Sequence, residues 1–269
     1  MSRPSILAII VVAATLPILA RATPVATPVP FAGSFETVES RGDFEVEVRE
    51  GSPASVEIVA EPGMAERIRV EVSGSALRLS RVTNFDSTKG VLVKVVLPEF
   101  RGLSVSGSGK GTAESGPAPR DVNLAVSGSG ELAWKGAAAS LDAAVSGSGE
   151  LRAAGPSSKL SVAVSGSGEA TIKGDTGAAK VSVSGSGEVK LAGSGESLKI
   201  SVSGSGEVKA KDFAAKDANV SIAGSGDVDL RLAGGTLNAQ IAGSGNVNWS
   251  GEGKVGAVAT AGSGRIRHR

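Results

Sequence analysis

A Gly-Ser-Gly triplet followed by a polar residue recurs at nearly fixed intervals through the last two-thirds of the chain. The triplets begin at Gly107, Gly128, Gly147, Gly166, Gly185, Gly204, Gly224, Gly243 and Gly262, in steps of 21, 19, 19, 19, 19, 20, 19 and 19 residues. A period of that length, with short alternating apolar runs in each unit, marks a solenoid, whose units bury their apolar faces only by stacking on one another. A propeller, the competing repeat architecture, needs blades of about 40 residues and is excluded by the spacing.

Strict period-two alternation gives each coil a register. In the unit around Gly185, Val181 and Val183 point inward, and Ser182 and Ser184 outward. Extending the count places Gly185 and Gly187 inward, Ser186, Glu188 and Lys190 outward, and Val189 and Leu191 inside. Glycine at a narrow interior position lets backbone approach backbone. The rest of each unit is turn-forming, as in Gly155-Pro156-Ser157, Gly174-Asp175 and Gly234-Gly235. The span from Lys211 to Asp217 falls in the 20-residue step and is expected to be a loop, where an insertion is tolerated.

The expected fold is all-β: a right-handed parallel β-helix of about nine 19-residue coils over residues 101–269. The right hand follows from the preference of parallel crossovers. At ~4.8 Å per rung, nine coils make a rod of roughly 40 Å. Composition agrees, since aromatics are only 3% while glycine reaches 38 residues. Such a chain fills a thin core with Val, Ala and Leu.

Stacking converts equivalent positions into columns. An inward column carries Trp134 near one end and Trp249 near the other, with Ala153, Ile172, Leu191, Ala210 and Leu230 between and His268 last. Core filling is the favoured role for both tryptophans over a pair of ligand-stacking rings. An outward column, just after each triplet, carries six consecutive acids: Glu131, Glu150, Glu169, Glu188, Glu207 and Asp227. Neighbouring carboxylates at that spacing repel by roughly 1 kcal/mol in water. Arg152, Lys190 and Lys209 stand two residues further along the same face, so a solvated, partly paired face is favoured. A calcium ladder through the same six acids is the alternative, since carboxylate oxygens suit calcium; the Gly-Gly-x-Gly-x-Asp pattern of calcium-loaded repeats is absent. A third column is serine at the centre of every triplet, from Ser108 to Ser263, suited to a hydrogen-bonded structural ladder or to contact with a sugar, ice or protein surface.

Ahead of the repeats, residues 31–100 alternate as five or six strands with no helix. Phe44, Val46 and Val48 form one apolar side, followed by Val56 and Ile58, then Ile68, Val70 and Val72, then Leu77 and Leu79, and then Val91, Val93 and Val95. They are expected to cap the first coil, with a separate small β-domain as the alternative. Residues 23–30, with Pro24, Pro28 and Pro30, read as a Pro-rich extended linker. Residues 1–22 read as a signal peptide, with Arg3, an apolar run from Ile6 to Ala20, and cleavage after Ala22 in Ala20-Arg21-Ala22. Removing Arg3 and Arg21 from 28 basic residues leaves 26 against 27 acidic ones, a mature formal charge of −1. No nucleic-acid partner and no membrane span after cleavage are therefore expected.

Chemistry is sparse. There is no cysteine, and the single histidine is the penultimate residue, His268. No histidine triad, thiol nucleophile or cysteine-histidine metal site can be built. Gly-Ser-Gly-Glu lacks the Gly-Lys-Ser/Thr of a phosphate loop, and the central serine is not in a G-x-S-x-G elbow. No catalytic or cofactor-binding residue is expected.

The strands that close on Val95-Val96-Leu97-Pro98, followed by Leu103-Ser104-Val105-Ser106-Gly107-Ser108-Gly109 and its repeats, resemble the auto-transporter adhesin head GIN domain family. The resemblance covers roughly residues 31–269. It implies a right-handed parallel β-helix and an exported bacterial location, and carries over no catalytic or ligand-binding residue. The expectation is an exported, non-enzymatic, adhesin-like or envelope-interaction module, in the periplasm or at the cell surface. Its expected partner is a cell-surface glycan or protein. A self-assembling structural element and a carbohydrate-active β-helix enzyme are the alternatives.

Overall fold

The computed structural model describes residues 23–82 and 87–269; the signal-peptide reading of residues 1–22 and part of the polar loop after Val82 lie outside them. The described chain is a β-solenoid, and a single 3-10 turn, Ala65–Arg67, interrupts the strands. In the repeats up to Gly185 each coil has one longer strand that ends at the first triplet glycine and a five-residue strand that begins just after the triplet; from Glu188 to Gly262 the two run together as single strands of 17 or 18 residues. Ala138–Gly147 pairs in parallel with Arg120–Gly128 on one side and Ser157–Gly166 on the other. Glu150–Ala154 likewise lies between Glu131–Lys135 and Glu169–Lys173. The pairing places every triplet directly over the next, Gly147 on Gly166 and Gly166 on Gly185.

The N-terminal strands are β1 (Val25–Pro28), β2 (Thr37–Gly42), β3 (Glu45–Glu50), β4 (Ser55–Ala60), β5 (Ile68–Ser73), β6 (Ala76–Arg81) and β7 (Leu92–Leu97). The first repeat strands are β8 (Gly102–Gly107) and β9 (Lys110–Glu114). β2 and β3 form a rung beneath β8 and β9, in parallel register. β6 and β7 form a further rung on the far side of β2 and β3. The chain therefore lays down an inner rung first, leaves it through β4 and β5, and returns to build the outer one. β4 and β5 pair antiparallel with β7 and β6 and end the parallel stack.

Residues 23–30 differ from a free linker. β1 adds antiparallel to β4, with Val25 opposite Ala60 and Pro28 opposite Glu57. Proline is tolerated there because an edge strand has one side with no backbone donor to supply.

One continuous apolar core runs from Phe35 to Trp249. Phe35, Phe44 and Phe100 fill the wider N-terminal end, and columns of Val, Leu and Ala fill the coils. The 20-residue step is not a loop. Glu207–Gly224 is one strand with a register shift between Ala210 and Ala214, and Phe213 and Ala215 are buried. The extra residue is absorbed as a bulge that turns Phe213 into space left by Gly195, whose missing Cβ would lie 2.7 Å from the ring.

Candidate functional site

The repeat exposes two kinds of surface, set by the corner between long and short strands. Val181 and Val183 are buried as alternation requires, but Ser184, Gly185 and Ser186 are all exposed before Gly187 is buried. The inward placement of Gly185 is thus corrected: alternation stops at the corner, where the chain turns. Gly185 has φ +109°, and a Cβ there would stand 2.6 Å from the Gly166 carbonyl oxygen one coil away. Gly187 is the true inward glycine, with a would-be Cβ 2.5 Å from Val164 Cγ1. The first triplet glycine answers to backbone conformation and the third to packing.

The serine column is exposed from Ser108 to Ser263. Its ladder is made by the backbone: Ser167 N–H donates to Gly147 O and Ser186 N–H to Gly166 O, each at 2.9 Å. The hydroxyls are left facing solvent at the corner, one per rung.

The short strands carry the charged face. Parallel pairing brings Glu131, Glu150, Glu169, Glu188, Glu207 and Asp227 into one column, with Lys110 before them and Asn246 and Arg265 after. Cations from the adjoining column interleave with it. Lys190 Nζ lies 2.8 Å from Glu169 Oε1 and 3.5 Å from Glu188 Oε1; Lys209 Nζ lies 2.7 Å from Glu188 and 3.0 Å from Glu207. Arg152 pairs with Glu150. The Lys190 hydrogen bond holds the Glu169 carboxyl below its usual range, and the same bond raises Lys190. Beyond the acids, Asn246 Nδ2 donates to Asp227 at 2.8 Å and Asn248 Nδ2 to Asp229 at 2.8 Å. Among the described residues no three Asp, Glu or His side chains are grouped to hold a metal ion. Charge along this face is met by ammonium, guanidinium and amide groups.

Both tryptophans are interior. Trp134 is 3% exposed and donates Nε1–H to Ser115 Oγ at 3.2 Å; Trp249 is 8% exposed and is covered by the His268 ring, with centroids 4.1 Å apart.

Sequence periodicity missed one member of the repeat. Gly42-Asp43-Phe44 occupies the triplet position of the β2–β3 rung: Gly42 is paired with Gly107, and Lys110 N–H donates to Phe44 O. Phe44, fully buried, takes the place of the third glycine. The signal was Gly42 followed two residues later by the alternating Phe44-Glu45-Val46-Glu47-Val48 run. Asp43 replaces the central serine and accepts from Ser87 Oγ at 2.8 Å, from Thr88 N–H at 3.0 Å and from Thr88 Oγ1. Burial works against its charge, but those hydrogen bonds outweigh it and bring Asp43 down to about 2.

The described chain is a continuous β-solenoid with a paired charged ladder on its short strands and an exposed hydroxyl column at its corners. The sequence matches the family described as "Putative auto-transporter adhesin, head GIN domain" over residues 34–176 and 157–253, and the chain belongs to that family. The fold is also similar to a Parabacteroides merdae crystal structure described as a "putative adhesin", at TM-score 0.72 and 18% identity, covering 92% of this chain and 96% of that one. A Parabacteroides distasonis structure described as a "Putative lipid binding protein" aligns at TM-score 0.68 and 21% identity, covering 92% and 97%. A second P. distasonis structure, a "putative adhesin", aligns at 0.69 and 18%, covering 92% and 98%. No curated protein matches the sequence. Among the described residues no helix is long and apolar enough to cross a membrane.

Proposed function

We propose that the chain is an exported, non-enzymatic β-solenoid that acts as an adhesin-like module at the bacterial cell surface. The observation that carries this reading is the register of its outward columns. Parallel pairing repeats the same serine and carboxylate positions rung after rung, with cations interleaved beside the carboxylates. Identical weak contacts at fixed spacing add through multivalency, so a repetitive ligand gains avidity without a deep pocket. The family description and the adhesin neighbours agree with that use. The lipid-binding description of one neighbour belongs to that protein.

Protease treatment of intact cells, followed by detection of the chain and counting of surface attachment, tests the reading. The expected result is cleavage on whole cells together with loss of attachment, matched by cells that lack the chain. Protection until the envelope is opened would remove the surface-adhesin reading in favour of an internal envelope scaffold.

A further inference from the structure

The charged face contains a break in its own rule. Lys110, Arg152, Lys190 and Lys209 each have a carboxylate partner, whereas Lys135 and Lys173 have none among the described residues. In the parallel register both stand directly opposite Ala154, one on each side, so they are two rungs or ~9.6 Å apart. The neighbouring column is interrupted in the same way by Ala133, between Thr112 and Arg152. The two alanines open a depression of about 440 Å³ over the buried Trp134, bordered by the lysines and by Thr112 and Thr171. Glu114, opposite Lys135 one rung away, puts negative charge at one end.

We propose that this groove binds a linear anionic polysaccharide running along the rod axis. Lys135 and Lys173 receive acidic groups, and the sugar between them lies on the Ala133 and Ala154 floor within reach of the threonine hydroxyls. Unpaired ammonium groups at a fixed separation suit a polymer whose charges recur along its length. Nucleic acid fits less well: Trp134 is 3% exposed and offers no face for base stacking, and the cations that line the groove are separated by Ala133, Ala154 and Thr171 and accompanied by Glu114. A membrane fits less well too, because the exposed large apolar side chains, Val25, Val255 and Val258, do not border the groove. The proposal deepens the adhesin-like reading by naming its ligand class, and it rests on that reading.

The test is titration of the chain from residue 23 onward with polygalacturonate, dextran sulfate, neutral dextran and single-stranded DNA. Acidic polysaccharide is expected to bind while neutral dextran does not, and the carboxylate and sulfate arms tell which anion is preferred. Lys135→Gln with Lys173→Gln should weaken binding about tenfold, with an unchanged melting temperature because neither lysine has an ion-pair partner. Glu114→Gln should tighten it. Equal binding by wild type and double variant, equal lysine-dependent binding of DNA, or no binding of either acidic polysaccharide each overturns the groove. Cells that still attach when carrying the double variant leave the adhesin-like reading intact and remove only the groove. Chain protected from protease on whole cells removes the adhesin-like reading without altering the titration.

Discussion

Lys190 Nζ donates to Glu169 Oε1 across the rungs at 2.8 Å, so a cation of one coil neutralises the carboxylate of the coil before it. The same ammonium lies 3.5 Å from Glu188 on its own strand. Charge is thus shared along the stack. The pair is partly exposed, at 41% for Lys190 and 34% for Glu169, and its worth is correspondingly modest. Lys190→Met should cost roughly 0.5–1 kcal/mol in chemical denaturation, less at high salt. Glu169, with a depressed pKa, contributes stability above its unfolded value of 4.5 that is lost as pH falls through the folded one. Lys190, with a raised pKa, contributes below 10.5 and loses that contribution as pH rises through its folded value. The difference between wild type and Lys190→Met should therefore be flat at neutral pH and shrink at both extremes.

Gly185 separates conformation from packing. With φ +109° and the Gly166 carbonyl oxygen 2.6 Å from a would-be Cβ, even Gly185→Ala should cost roughly 2–3 kcal/mol, and Gly185→Val more. Ser182→Ala, outward on the long strand, should be nearly silent. Thermal melts of the three variants check the order; a tolerated alanine at 185 would mean that the corner relaxes.

Asp43 should report on acid. Its hydrogen bonds from Ser87 and Thr88 hold its pKa near 2, against an ordinary value of 3.8. A depressed carboxyl stabilises the fold above its unfolded pKa and loses that contribution as pH falls from about 3.8 to about 2. Asp43→Asn should lower the urea midpoint at pH 7, and the gap to wild type should narrow as pH falls from about 3.8 toward about 2.

Glu50 ties the one 21-residue step to the N-terminal rungs. Its Oε1 lies 2.6 Å from Arg120 Nη1, and its Oε2 accepts from Gly116 N–H at 2.8 Å. These side chains are only 14% and 26% exposed. Arg120→Ala leaves a largely buried carboxylate with one partner and should cost about 1–3 kcal/mol. Amide exchange should speed up first at Gly116, and Glu50→Gln in the same background should recover part of the loss.

The repeat was legible because its signal is carried by residue identity at fixed spacing. The Glu131 to Asp227 column and the Trp134 and Trp249 column could be written down from the period alone; the register confirms the first throughout and the second on either side of the shift between Lys190 and Ala192. Gly185, Phe213 and Gly42 were not legible. Alternation describes a straight strand and carries no information about where the strand turns, so Gly185 was counted inward. An inserted residue reads as a loop when nothing reveals an empty space beneath it, and Gly195 supplies that space to Phe213. The Gly42 rung has lost serine and the third glycine, and only its pairing with Gly107 exposes its place.

The sequence by itself determined that this chain is a β-solenoid with a coil of about 19 residues, because a strict period with alternating apolar residues has one economical way to bury them. It also determined which side chains share a column. Tertiary structure decided the order of the N-terminal rungs, the pairing of each cation with a particular carboxylate, and the unpaired state of Lys135 and Lys173. Those depend on reach between rungs, on the height of each neighbour and on where the chain crosses over. Such three-dimensional relations are not encoded by any single position in the repeat.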